Sequence, residues 1–284
     1  MSAGGSDPFD LPEWQAIHRE ASLVRQLIGS GTTALGRASY GSGLGEYYTA
    51  FFGLSVGIER LAKLILVADF AMDNAGALPG QNEVRKFGHK IRDLCDRAEQ
   101  ISTNRGLQLD FPKPTDPICW AVVDCLDAFA DARKGRYANF EAIGNPAFDA
   151  GKEPVNKWWT DVVEPILAKH VRGTAREAVI RHNAEMVDAF VGHSVFVLHV
   201  DETGKPMNDV LTASWRTGMT KWAQTYGRLY TLTMVRWLAD IFSTLSREGG
   251  HGGEIIALYG HYELFFGYLA TDKQIKNYKI WPLI

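Results

Sequence analysis

Cysteine is scarce, and none of the three thiols is placed to act with another. Cys95, Cys119 and Cys125 form an odd set without a Cys-x-x-Cys pair, which excludes a two-cysteine redox motif and a compact thiolate zinc site. Reduced, mostly buried thiols are expected instead. Long apolar runs are missing as well. Residues 51–70 are interrupted by Glu59, Arg60 and Lys63, and residues 118–129 by Asp124 and Asp127, so no stretch reads as a membrane span. Nor is there an excess of one charge. Thirty basic side chains face 33 acidic ones, a formal net charge of -3, so nucleic acid or anionic lipid would have to be met by a local patch.

Residues 1–14 lack the basic start and apolar core of a secretory leader, which points to an intracellular, cytoplasmic protein. No internal repeat is present, so solenoids drop away. The glycine-rich Gly41-Ser-Gly-Leu-Gly45 has neither the Gly-Lys-Ser/Thr ending nor the preceding strand of a phosphate loop. No cofactor motif is found.

What is present is helical periodicity in 284 residues of 46% hydrophobic content, enough for a sizeable core. The expected fold is predominantly all-α. Residues 1–10 read as a disordered tail and 11–28 as a first helix with Pro12 in its opening turn, followed by a loop or broken helix over 29–45. The strongest helix begins at Glu46, where Tyr47, Phe51, Leu54, Ile58, Leu61, Ile65 and Ala68 recur at spacings of four and three. Gly53 and Gly57 on it would leave a shallow groove for a neighbouring helix. Residues 82–103 give another helix, restarted near Gly88 and His89, and a fourth is expected from Ile118 to about Ile143. Residues 11–145 then make a four-helix unit.

A second helical region occupies 155–284. It has helices over 155–169 and 174–192, the latter capped by Thr174, and a short β-hairpin around the turn residues 201–206. A long helix follows over 208–247, bent or broken near Gly227. After a flexible glycine-rich stretch at 249–253, a last aromatic helix is expected over 254–269.

In the fourth helix the apolar face running through Phe129 continues onto Arg133 and Arg136 and then Phe140. A guanidinium near a core needs a partner or a ligand. Glu59, which also has Lys63 four residues on, would be the partner. Alternatively Arg133 and Arg136, with Tyr137 and Asn139 nearby, line a cleft for phosphate or a base. His89 reads as a helix cap or a general base. His251 and His261, with Glu254 and Glu263, lack the tight spacing of a metal site. Trp158, Trp159 and the closing aromatic residues read as core or dimer interface.

The run Gly57-Ile-Glu-Arg-Leu-Ala-Lys-Leu-Ile-Leu66, the later Gly88-His-Lys-Ile-Arg-Asp-Leu94 and then Ala132-Arg-Lys-Gly-Arg-Tyr-Ala-Asn139 resemble the HEPN family over about residues 45–143. That resemblance implies a helical bundle of a toxin-antitoxin or phage-defence system. Many members are metal-independent endoribonucleases that act through an Arg followed four to six residues later by a His, usually across a homodimer. It implies phosphate stabilisation by Arg133 and Arg136 with His89 as a further catalytic candidate, and substrate contacts from Tyr137, Asn139, Glu59 and Lys63.

The sequence departs from the pattern at one position, for Asn139 stands six residues after Arg133, where a histidine would be. Asparagine forms hydrogen bonds but does not shuttle a proton. A non-enzymatic adaptor or nucleotide-binding subunit therefore stands as the alternative. The Arg176-to-His182 spacing lies outside the resemblance and reads as a chance match on a charged helix.

Overall fold

A computed structural model describes residues 7–131, 135, 140, 143, 145, 151, 153–252 and 255–283. These residues are predominantly helical. The helices are α1 (Pro12–Leu35), α2 (Gly45–Asp73), α3 (Gln81–Lys86), α4 (Ile91–Asn104) and α5 (Pro117–Ala130). They continue as α6 (Pro154–Trp158), α7 (Glu164–His170), α8 (Ala175–Val191), α9 (Val210–Arg247) and α10 (Asp272–Asn277). The only sheet among the described residues is the antiparallel pair β1 (His199–Val200) and β2 (Pro206–Met207). Among the described residues no helix is long and apolar enough to cross a membrane.

The predicted face of α2 is buried throughout, from Tyr47 to Ala68. Helix α1 lies in the groove that Gly53 and Gly57 leave. A methyl added at Gly53 would stand 2.7 Å from the Leu27 carbonyl oxygen, and one at Gly57 2.6 Å from the Ile28 side chain. Helices α4, α5 and α9 cover the remaining sides of α2. One continuous hydrophobic cluster runs from Ile17 and Val24 of α1 through Ile58 and Leu126 to Trp158, Trp237 and Phe265. Trp158 and Trp159 are core residues.

Several boundaries differ from expectation for local reasons. Helix α1 continues through the glycines to Leu35, because Ile28, Ala34 and Leu35 still have a core to face. Pro8–Asp10 forms a 3-10 turn capped by Asp7. Helix α5 ends at Ala130, not near Ile143: Asp131 is extended (ψ 102°), and Gly135 folds back to donate its N–H to the Asp131 carbonyl at 2.8 Å. Helix α9 passes through Gly227 without interruption, and Trp158 fills the space beside that glycine. The glycine-rich stretch is wound into a π-helical turn, Glu248–Gly252, and the expected last helix is instead two 3-10 segments, Ile256–Leu258 and His261–Tyr268.

Two polar anchors hold the second region to the first. The buried Glu202 carboxylate, in the hairpin turn, accepts from the Tyr40 N–H at 3.0 Å, the Tyr47 hydroxyl at 3.2 Å and Arg216 Nε at 2.8 Å. Arg216 lies 3.5 Å over the Trp159 ring. At the other end, the Trp281 N–H donates to Thr33 Oγ1 at 2.9 Å, and the Tyr268 hydroxyl donates to the Arg25 carbonyl at 2.6 Å. The last turn of chain is thereby clasped onto α1.

Candidate functional site

Three of the residues singled out from the sequence meet at the mouth of a cleft between α2, α4 and α5. Glu59 and Lys63 lie one turn apart on α2, and Lys63 Nζ donates to Glu59 Oε1 at 2.6 Å. His89 arrives from the α3–α4 connection, where Gly88 takes φ +80°, a left-handed value that glycine adopts without strain. Its Nδ1 stands 3.0 Å from the same Glu59 oxygen. A carboxylate only accepts, so Nδ1 carries the proton and donates. The 3.4 Å separation between Lys63 Nζ and His89 Nδ1 is then the approach of two donors sharing one acceptor. In the neutral imidazole that carries its proton on Nδ1, Nε2 is the acceptor.

The surroundings of the two partners are unequal. The Glu59 side chain is 18% exposed and that of His89 86% exposed, so an immobilised carboxylate orients an accessible imidazole. Exposed ion pairs of this kind add little stability; the value of the contact lies in orientation.

His89 does not cap α4. Asp127 of α5 does so from across the cleft, accepting the Ile91 N–H at 2.6 Å and the Arg92 N–H at 3.0 Å. Burial raises the Asp127 pKa above the usual carboxylate value, and its two backbone donors only partly offset that. Beside it, Arg92 Nη2 spans both oxygens of Asp124 at 2.7 Å and its guanidinium lies 4.7 Å from the Trp120 ring centroid. The cleft, of about 550 Å³, is also lined by Ser55, Lys90 and Asp93 and reaches Asp131.

Asp127 and Arg92 were not among the sequence candidates. The signal was present, since Asp124 and Asp127 interrupt an otherwise apolar helix, three residues apart as one face requires. Arg133, Arg136, Tyr137 and Asn139 lie outside the described residues. The chain enters that segment from Asp131, on the rim of the same cleft. Helix α5, whose Phe129 face was expected to continue to Arg133 and Arg136, ends at Ala130. Glu59, their expected partner, is engaged by Lys63 and His89.

Elsewhere, Arg176 is committed to packing, donating to the His170 carbonyl at 2.9 Å and the Tyr226 hydroxyl at 3.0 Å. His261 is buried against Trp14 and His18, and His251 stacks on Tyr259. Among the described residues no group of three His, Cys, Asp or Glu side chains is arranged to hold a metal. Comparison of the chain with protein-family models, with curated proteins and with solved structures returns no match.

Proposed function

We propose that the chain is a HEPN-like protein of a toxin-antitoxin or phage-defence system, whose α2–α4–α5 cleft binds RNA and cleaves it without a metal. The observation that supports this most is the Glu59–His89 pair, brought together across thirty residues with the imidazole held by Nδ1 and its other edge accessible. Asn139 replaces the histidine that the family places after its arginine, and His89 offers a proton acceptor in its stead. In the reaction, Nε2 takes the proton of a ribose 2′-hydroxyl as that oxygen attacks the adjacent phosphorus. The bond from phosphorus to the 5′-oxygen breaks, the leaving oxygen takes up a proton from solvent and the imidazolium returns its own to solvent, giving a 2′,3′-cyclic phosphate and a 5′-hydroxyl. Arg133 and Arg136 would stabilise the charge gathered on the phosphoryl oxygens.

The second reading, an adaptor that binds without cutting, is favoured by the carboxylates of Glu59, Asp93, Asp127 and Asp131 around the cleft, which oppose a phosphate backbone. One experiment separates them. In chelator-containing buffer the purified chain is expected to cleave RNA to cyclic-phosphate ends. His89→Ala, at an exposed position, should lower the rate by at least about 100-fold while the fold persists, as should the Arg133→Ala, Arg136→Ala double variant. Wild-type protein that leaves RNA intact would discard the ribonuclease reading in favour of the adaptor.

A further inference from the structure

A second hollow, which shares no lining residue with the cleft at His89, lies in the C-terminal region. It is a groove of about 980 Å³ between α8 and the first turns of α9, walled by Val179, Ala184, Val187, Val191, Val210 and Ala213. Helix α8 has 17 residues, of which only Ile180 and Ala184 are buried. A helix so weakly covered normally hides an apolar stripe against something else. Next to the groove, residues 195–198, which carry no regular secondary structure, form an arm that leads into β1. The ladder pairs only His199 with Met207 and Val200 with Pro206, so the preceding arm has no ladder partner among the described residues.

The arm is apolar on both sides. Val195 and Val197 face the groove as part of its wall, whereas Phe196 is 90% exposed and Leu198 77% exposed on the other side.

We propose that this surface joins two copies of the chain, with Phe196 and Leu198 of each copy entering the α8–α9 groove of the other. An apolar protrusion beside an apolar hollow on one face is what a two-fold contact requires, because each copy gives and receives the same feature. The extent also fits. Phe196 and Phe190, the latter 73% exposed, together leave roughly 250–400 Å² uncovered if each ring offers about 150–250 Å². Leu198, Val200, Val179 and Val195, all at least half exposed, carry the total toward the ~800 Å² that one partner brings to a standard interface. The inference concerns the C-terminal surface alone and stands whether or not the cleft at His89 acts on RNA.

The test is the mass of the full chain in solution, by sedimentation and light scattering at micromolar concentration. The wild-type chain is expected to be a dimer. A Phe196→Asp, Leu198→Asp arm variant and a Val187→Asp groove variant are each expected at half that mass, with helical circular dichroism unchanged. Mixed in equal amounts, the two variants should form a heterodimer, since one intact arm then meets one intact groove. A monomeric wild-type chain would overturn the proposal, as would a dimer that survives both variants. Failure of the two folded variants to associate when mixed would also overturn it. Release of a bound lipid from a monomeric wild-type chain would assign the groove to an apolar ligand instead.

Discussion

His261 packs with its ring centroid 4.9 Å from that of Trp14 and 5.7 Å from that of His18. Burial, with His18 as a second cause, lowers its pKa to about 4. The folded imidazole is therefore neutral near pH 7. An unfolded histidine titrates near 6.5, so between about 6.5 and 4 the unfolded chain takes up a proton that the folded chain refuses. The contribution is complete above that window and is lost as pH falls through it, in full on the order of 3 kcal/mol. Chemical denaturation is expected to give a lower unfolding free energy at about pH 5 than at about pH 7, and His261→Leu should make that decline shallower. An unchanged slope in the variant would place the pH dependence elsewhere. The thiols are a simpler matter. Cys95, Cys119 and Cys125 are buried and unpaired, as their spacing implied, and burial pushes each up to about 12.

The start of α4 shows how one helix positions another's chemistry. Because Asp127 of α5 holds the Ile91 and Arg92 N–H groups, Asp127→Ala is expected to destabilise the fold by about 1 kcal/mol, the usual effect of removing a cap. It should also loosen His89, two residues ahead of the helix, and depress any RNA cleavage beyond what the stability loss explains. An active Asp127→Ala protein with wild-type rate would show that the cap and the dyad are independent. The apolar spacing of α2 and the restart of the chain at Gly88 were legible in the sequence, since both are local signals. The cap was not, because it joins residues 36 apart on helices whose mutual placement no periodicity encodes. The overrun of α5 has the same origin: the spacing continues on paper to Phe140, while the backbone turns at Asp131 to bring Gly135 against Ala128 and Phe129.

Across the whole molecule the decisive element is α9, 38 residues and so roughly 57 Å long. It was readable as a long helix over about 208–247, and Met219, Tyr226, Met234, Trp237 and Ile241 along it are buried. Which neighbours they meet was not readable, for α9 packs on α1, α2, α4 and α5 as well as on its own sequence neighbours. The clasp of Trp281 on Thr33, between residues 248 apart, adds a kinetic consequence. Contacts of such separation carry a large closure entropy and form after the local ones. An interaction made after the folding barrier governs escape from the native state and leaves entry into it untouched. In stopped-flow denaturant jumps, Thr33→Ala is therefore expected to quicken unfolding several-fold and leave the refolding rate where it was. With that outcome, the clasp would set how long a folded molecule lasts.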